Sequence, residues 1–394
     1  MRDKQWSVKQ GVLKILSWVC AGYREEIYSE VNLLCGLGRR RPSNPFPAPP
    51  SKPQDQNASG AATMEVGPYT KVDTHLRGLA HAAEGFGHSA KGGLDGEIYH
   101  VTSLADDGPG TLRNGCRSEQ PLWIVFDVSG TITLSSYCRV RSWKTIDGRG
   151  QCIRITGKGL QLKDCEHVII CNLILDGGRG HDIDGIQMKP NVKHVWVDRC
   201  SISDFDDGCI DITRASTDIT VSRCHFSNHD KTMLIGADPK HVDDRCIRVT
   251  IHHCFFDGTK QRHPRLRFGK VHLYNNYTRG WTVYAICASV EAQILSQCCI
   301  YEAGSKLKAF EYYPEKAGDT GYESAGSIRS EGDVFLKGAQ GRVDNPDQVF
   351  QPQKFYSSWT LEGANDALMK KVKSIAGWQK ILRPPDVTPA HSSS

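Results

Sequence analysis

The distribution of apolar residues from about residue 72 onward predicts short β-strands. Brief apolar runs alternate with Gly, Asn and Asp, and helical periodicity is rare before the C-terminal segment. Six of these runs fit one template: "HVIICNLIL" at His167, "HVWVDRCSI" at His194, "DITVSRCHF" at Asp218, "RVTIHHCFF" at Arg248, "KVHLYNNYT" at Lys270 and "AQILSQCCI" at Ala292. Successive runs begin 27, 24, 30, 22 and 22 residues apart.

A strand unit that recurs at this spacing is typical of a solenoid, in which each coil covers the apolar face of its neighbour. We therefore predict an all-β fold, a parallel β-helix. A β-sandwich or barrel would require hairpin turns about every 8 to 12 residues. The sequence lacks turn signals at that spacing.

Cysteines recur at one position of the template. Cys200, Cys224, Cys254 and Cys298 share this position, and Asn276 takes it in the fifth run. The chain has 15 cysteines, an odd number, and no C-x-x-C spacing that would indicate zinc. Because a free cysteine behaves as a small buried apolar residue, we predict an inward stack of thiols.

The composition changes near residue 72 and divides the chain. We predict an N-terminal appendage (residues 1–40), a proline-rich linker (residues 41–71) and a β-helix domain with an irregular C-terminal segment (residues 72–394). No apolar run approaches the length of a membrane-spanning helix. The net charge of +5 is too small to indicate nucleic acid binding. We expect a monomer.

The template also brings charged side chains of separate coils to one corner. Asp207 and Lys231 each follow a template cysteine by seven residues, and Arg262 follows one by eight. Asp182 and Asp184 reach the same corner one coil earlier. Because residues two or four apart in a strand point to the same side, we expect the aspartates of each coil to converge.

The stretch "DFDDGCIDIT", from Asp204 to Thr213, sets four carboxylates in an otherwise buried strand. Taken singly, such aspartates are typical of turns. In register beside a lysine and an arginine they indicate a cation site, because clustered carboxylates repel one another unless a cation or a proton intervenes. Ligation by oxygen alone favours Ca²⁺ over Zn²⁺.

An ordered series of motifs then resembles the pectate lyases of plants and microbes. The motifs are "VDTHLRGLAHAAEGFGHSAKGG", "PLWIVFDVSGTITL", "KTIDGRG", "VWVDRC" and "RHPRLRFG", and the resemblance covers roughly residues 72–315. It implies a right-handed, single-stranded parallel β-helix. It also implies cleavage of de-esterified polygalacturonate (pectate) by Ca²⁺-dependent β-elimination, which gives unsaturated oligogalacturonides.

The resemblance further implies residue roles. It implies that calcium is bound by Asp182, Asp184, Asp207 and Asp211. It implies that substrate is bound by Lys231, Arg265 and Arg267, and that Arg262 removes the C5 proton. Calcium would neutralise the uronate carboxylate and stabilise the enolate-like intermediate. Because an arginine side chain is a poor proton acceptor at neutral pH, we expect an alkaline pH optimum.

The chain departs from the family pattern in "VWVDRC", where Arg199 and Cys200 replace the usual His and Asn. We interpret this as altered core packing around an intact site. Two other functions stay open: a polygalacturonase-type glycoside hydrolase, which also needs paired acids, and a β-helix that binds pectin without cleaving it. Lys231 and the R-x-P-x-x-R spacing favour the lyase.

The sequence gives conflicting indications of location. The substrate implies export to a plant cell wall. However, Lys14 interrupts the first apolar run and no small-residue cleavage site follows it, so a secretory signal is not predicted. A stack of free thiols is also more typical of a reducing compartment.

Overall fold

The structure, a computed structural model, describes residues 72–386. The predicted appendage (residues 1–40), the predicted linker (residues 41–71) and the last eight residues of the chain lie outside the described residues. The predictions for those segments therefore stay predictions.

Three parallel sheets wind around one core and form about nine coils. Sheet 1 has ten strands, sheet 2 has eight and sheet 3 has nine. Each coil passes from sheet 1 to sheet 3, then to sheet 2, and returns to sheet 1 one layer further on. The predicted parallel β-helix is confirmed.

The strands are numbered in chain order. Sheet 1 contains β1 Glu97–Val101, β2 Leu122–Phe126, β5 Lys144–Asp147, β8 Glu166–Cys171, β11 Lys193–Asp198, β14 Thr217–Ser222, β17 Arg248–His252, β20 Lys270–Tyr274, β23 Gln293–Gln297 and β28 Ser327–Glu331. Sheet 2 contains β4 Cys138–Val140, β7 Leu160–Leu162, β10 Ile186–Met188, β13 Gly208–Ile212, β16 Lys231–Ile235, β19 Arg265–Leu266, β22 Ile286–Ala288 and β25 Phe310–Tyr312. Sheet 3 contains β3 Gly130–Thr133, β6 Ile153–Gly157, β9 Ile174–Gly178, β12 Ser201–Ser203, β15 His225–Ser227, β18 Phe255–Asp257, β21 Tyr277–Arg279, β24 Ile300–Glu302 and β29 Val334–Leu336. A short antiparallel pair joins β26 Glu315–Lys316 to β27 Glu323–Ser324.

Helices are short and lie outside the coils. They are α1 Leu112–Arg117, α2 Asp366–Ile375 and 3-10 turns at Leu76–Leu79, Gly85–Ser89, Val242–Cys246, Pro346–Gln348 and Pro352–Lys354. Asn365 caps α2 by accepting a hydrogen bond from the Leu368 backbone N–H at 3.0 Å. Among the described residues, no helix combines the length and the apolar composition that a bilayer crossing needs.

The interior thiol stack begins as predicted. Cys200, Cys224 and Cys254 are fully buried. The Asn276 side chain accepts a hydrogen bond from the Cys254 backbone N–H at 2.9 Å and so continues the stack. In the next coil the backbone N–H of Asn276 points to the sulfur of Cys299 at 3.5 Å. The prediction of Cys298 at this position is wrong by one residue.

The backbone at the corner between sheet 1 and sheet 3 explains this shift. The residue before each stack position adopts a left-handed conformation, with φ of 52° at His253, 51° at Asn275 and 49° at Cys298. Cys298 thus forms the corner, and its neighbour faces the core. Two adjacent cysteines made the two registers indistinguishable in the sequence.

Arg199 fastens the N-terminal segment to sheet 1. Its guanidinium is almost completely buried and donates to Asp198 at 2.9 Å and to Asp73 at 2.8 Å. Arg223 also donates to Asp198, at 2.7 Å. Cys200 therefore repacks the interior as interpreted from the sequence, whereas Arg199 forms an ion pair with the segment that begins at Val72.

We predict that Arg199→Ala lowers the free energy of unfolding by about 3 kcal/mol, because it leaves the buried carboxylate of Asp198 with one cation fewer. Thermal unfolding followed by circular dichroism measures the effect. The matched control is Arg342→Ala, since the Arg342 side chain is 79% exposed and pairs with Asp344 at the surface; we expect a loss below about 1 kcal/mol. Equal midpoints for the two variants would show that the Arg199 network is not stabilising.

Candidate active site

Four consecutive strands of sheet 2 carry the side chains that the sequence predicts for the site. Asp182 and Asp184 lie in the turn before β10, Asp207 and Asp211 lie at and within β13, Lys231 begins β16, and Arg262 precedes β19. Gly208 pairs with Lys231 across β13 and β16, which sets these coils in register. The fold thus collects these residues on one wall of the helix.

Asp184 and Asp211 form the buried part of the site. The backbone N–H of Gly208 donates to Asp184 Oδ1 at 2.8 Å. A Cβ atom on Gly208 would lie 2.8 Å from Asp184 Oδ1 and 2.6 Å from Asp211 Oδ1. Both carboxylates therefore converge on a space that only glycine leaves open at this position.

The two buried carboxyls favour a proton or a cation. Burial raises the pKa of the Asp184 carboxyl to about 6. Burial, followed by the neighbouring charges of Asp184 and Asp207, raises the pKa of the Asp211 carboxyl well above its usual range. Within residues 72–386, no hydrogen-bond donor reaches the Asp211 carboxylate. Two carboxylates so close together are costly to ionise without a cation.

The outer aspartates are held by lysines. Lys189 Nζ lies 3.1 and 2.9 Å from the two carboxylate oxygens of Asp182. Lys231 Nζ lies 3.1 Å from Asp207 Oδ1. Lys189, which the sequence analysis missed, therefore partly neutralises the Asp182 carboxylate.

Two polar side chains that the sequence analysis also missed orient the acids. Gln187 Nε2 donates to Asp184 Oδ2 at 2.9 Å. The Tyr137 hydroxyl accepts from the Asp184 backbone N–H at 2.7 Å and donates to the Asp182 carbonyl at 2.8 Å. Gln187 pairs directly with Asp211 across β10 and β13, but counting from the template position puts Asp184 level with Asp211, so the sequence carries no signal for Gln187. Tyr137 comes from a more distant coil and carries no signal either.

The three arginines of the "RHPRLR" stretch differ in their partners. Arg262 is half-buried with φ of 65°, and its Nε has no hydrogen-bond partner among the described residues. Its charge acts to lower the pKa of Asp211, so it faces the acidic cluster. By contrast, Arg267 and Arg265 both bind Glu315, at 2.8 and 3.3 Å. Two of the predicted substrate ligands are therefore already paired with an acid that the sequence analysis missed.

The oxygen donor set suits a hard divalent cation. Asp184 and Asp211 provide convergent carboxylate oxygens, whereas Asp182 and Asp207 are paired with lysines. The carboxylate oxygens of the four aspartates do not all converge on one point, however. Among the described residues, a group of three ligand atoms within 4.8 Å of one another occurs only at Glu166, His167 and His194.

That second group lies on sheet 1 and has the geometry of a side-chain stack. The rings of His167 and His194 lie 4.8 Å apart at 22°, and Trp143 stacks on His167 at 4.1 Å. Near-parallel rings direct their in-plane lone pairs alongside one another rather than toward one point. We therefore interpret this group as packing between successive coils.

Comparison with known proteins identifies the family. A sequence model of the family described as pectate lyase matches residues 133–380. The chain belongs to the pectate lyase family. "Probable pectate lyase 13" of Arabidopsis thaliana is 41% identical over 284 residues, which cover 68% of this chain but only 56% of that protein. "Pectate lyase 1" of Juniperus ashei is 37% identical over 298 residues, covering 68% of this chain and 80% of that protein.

Solved structures agree with the β-helix of this family of polysaccharide lyases. The cedar pollen allergen jun a 1 has a TM-score of 0.66 at 32% identity, covering 78% of this chain and 96% of that chain. A pectate lyase of Bacillus sp. N165, solved in complex with trigalacturonate, has a TM-score of 0.56 and covers 75% of this chain and 98% of its own. At 22% identity, the second likeness supports the fold alone.

We predict that Asp211→Asn raises the thermal midpoint at pH 8 in the presence of a chelator. The pKa of Asp211 is higher in the folded chain than in the unfolded chain. Ionisation of this carboxyl therefore destabilises the fold. The stability is full at low pH, and it falls as the pH rises from about 4 through the pKa of Asp211 in the folded chain. Asparagine removes that cost.

The gain should disappear at pH 4, where the wild-type carboxyl is protonated. Asp95→Asn, at an exposed position, is the control and should change neither midpoint. Differential scanning fluorimetry at both pH values makes the comparison. A midpoint that falls at pH 8 would mean that the buried pair is not under electrostatic strain.

Proposed function

We propose that this protein is a calcium-dependent pectate lyase that cleaves de-esterified polygalacturonate by β-elimination. The observation that carries the proposal is the pair of buried carboxyls, Asp184 and Asp211, with raised pKa values opposite a half-buried Arg262 that has no ion-pair partner in residues 72–386. Membership of the pectate lyase family supports the same reaction.

The acidic cluster would hold the calcium ion. Asp184 and Asp211 would supply the inner oxygens, and Asp182 and Asp207 the outer ones. When bound, the ion neutralises the uronate carboxylate next to C5 and so makes the C5 proton easier to remove. Oxygen-only donors, flexible in number, fit Ca²⁺ better than Mg²⁺ or Zn²⁺.

Arg262 would act as the base in the elimination. Its neutral form takes the proton from C5, and the electron pair left behind forms the C4–C5 double bond. The bond from C4 to the glycosidic oxygen breaks, and that oxygen takes up a proton from solvent. Arg262 suits this role because none of the described carboxylates pairs with it, whereas Arg265 and Arg267 are held by Glu315.

Lys231 would bind a substrate oxygen next to the base. It stands in the strand between Asp211 and Arg262, and its side chain is 40% exposed. Release from Asp207 would free its ammonium group for a substrate carboxylate. Arg265 and Arg267 would reach substrate only through a rearrangement of their pairs with Glu315, so we assign them a secondary binding role.

We predict that Arg262→Lys lowers kcat on polygalacturonate by at least about 100-fold, the size expected for loss of a proton acceptor. The formation of unsaturated ends is followed by ultraviolet absorbance, with and without a calcium chelator. The control is Arg342→Lys, at an exposed arginine remote in sequence from the site, and it should match the wild type.

The same assay separates the alternatives. A hydrolase would release reducing ends without ultraviolet absorbance, and a binding protein would release neither. Either outcome for the wild type would contradict the proposal, as would full activity in chelator.

We also predict that Lys189→Met tightens calcium binding by roughly fivefold to tenfold, because the substitution removes a cation that competes for Asp182. Isothermal titration calorimetry measures the dissociation constant. Lys354→Met removes an equal charge at an exposed site and serves as the control. Unchanged or weaker calcium binding in Lys189→Met would show that this lysine does not compete with the ion.

A further inference from the structure

A cleft of about 660 Å³ opens beside the acidic cluster. Asp182, Asp184 and Asp207 lie at the amino ends of the sheet 2 strands and Asp211 lies within β13, whereas this cleft lies at the carboxyl ends of these strands. Its lining includes Lys163 after β7, Lys189 after β10, Arg214 after β13 and Lys240 after β16. Four successive coils thus contribute one cation each to the same wall.

Most of this positive charge is not compensated within the described residues. The side-chain nitrogens of Lys163, Arg214 and Lys240 have no carboxylate oxygen within 4.0 Å in residues 72–386. Only Lys189 is paired, and its partner Asp182 belongs to the acidic cluster. Strands in a sheet lie about 4.8 Å apart, so cations on successive coils repel one another unless an anion lies between them.

The cleft also contains two acids, which offset only part of this charge. Asp244 is buried, accepts a hydrogen bond from the Ala215 backbone N–H at 2.7 Å, and has its pKa raised by burial. Asp243 is exposed on the 3-10 turn Val242–Cys246 and has no ion-pair partner among the described residues. The balance of the lining is therefore cationic.

Two contacts join the cleft to the acidic cluster. Lys189 lines the cleft and binds Asp182. Gln161 also lines the cleft and donates to Gln187 at 2.8 Å, and Gln187 in turn donates to Asp184. A polymer lying on sheet 2 would therefore cover both.

We propose that this cleft binds a further carboxylate-bearing sugar of the polyuronate chain, adjacent to the sugar at the acidic cluster. Lys163, Arg214 and Lys240 bind its carboxylate, and the amides of Gln161 and Asn191 bind its hydroxyls. The volume is within the range of sites that take small ligands. Because methyl esterification removes the carboxylate charge, the cleft selects chains that are unesterified at this position. The inference rests on the proposed lyase function.

The test compares two triple variants that each remove three positive charges. The cleft variant is Lys163→Gln, Arg214→Gln and Lys240→Gln. The control variant is Lys354→Gln, Lys370→Gln and Lys380→Gln, at exposed lysines that do not line the cleft. Initial rates are measured at one ionic strength on unesterified and on highly methyl-esterified polygalacturonate. Binding of tetragalacturonate is measured separately by calorimetry in chelator, where no turnover occurs.

For the cleft variant, we expect KM on the unesterified polymer to rise about tenfold, with little change in kcat. The change should be smaller on the esterified polymer, and tetragalacturonate should bind more weakly in chelator. The control variant should stay within about twofold of the wild type in all three measurements.

Failures of the two proposals are distinguishable. If the wild type forms unsaturated products but the cleft variant matches the control, the cleft proposal is overturned and the lyase function stands. Equal losses on the two polymers would also overturn it, since the carboxylate would then not be what the cleft binds. If the wild type forms no unsaturated products, the lyase function fails, and the cleft proposal fails with it.

Discussion

The in-register stacking of parallel strands is the constraint on which the site depends. Asp184 and Asp211 are far apart in the chain and repel one another, yet the pairing of Gln187 with Asp211 fixes their coils side by side. The ladder of backbone hydrogen bonds thus holds two carboxyls around Gly208 in a position that neither would adopt alone. The cost of that arrangement appears in the raised pKa values of both groups.

Much of this geometry follows from counting residues along the chain. A strand template with one inward residue per coil predicts the β-helix, and equal spacing from Cys200 to Asp207 and from Cys224 to Lys231 predicts their contact, seen at 3.1 Å. Such a count holds only where the template position of each coil is identified correctly. It assigned Cys298 instead of Cys299 because one coil is shifted by a residue.

Other site features have no counterpart in a strand template. Glu315 reaches Arg265 and Arg267 from a short antiparallel pair outside the coils. Tyr137 reaches Asp182 from a coil two layers away in sheet 2. The residues that make such contacts lie in or beyond turns of variable length, and the length of a turn determines where its side chains are placed. Lys189 directly follows β10, but only the folded chain shows that it bends back to Asp182.

Two lysines link the charge of the acidic cluster to substrate binding. Lys189 and Lys231 partly neutralise the outer aspartates. A bound cation would release both lysines toward substrate, Lys189 into the cationic cleft and Lys231 toward Arg262. Metal binding would then favour polyanion binding, because the cation would replace the lysines at the aspartates and the released lysines would bind carboxylates of the substrate.

A crystal structure of the protein grown with calcium tests the central claim most directly. The account predicts one anomalous calcium peak in contact with Asp184 and Asp211, with the Lys189 ammonium moved away from Asp182. A peak at Glu166, His167 and His194 instead, or an acidic cluster without calcium at millimolar concentrations of the ion, would contradict it.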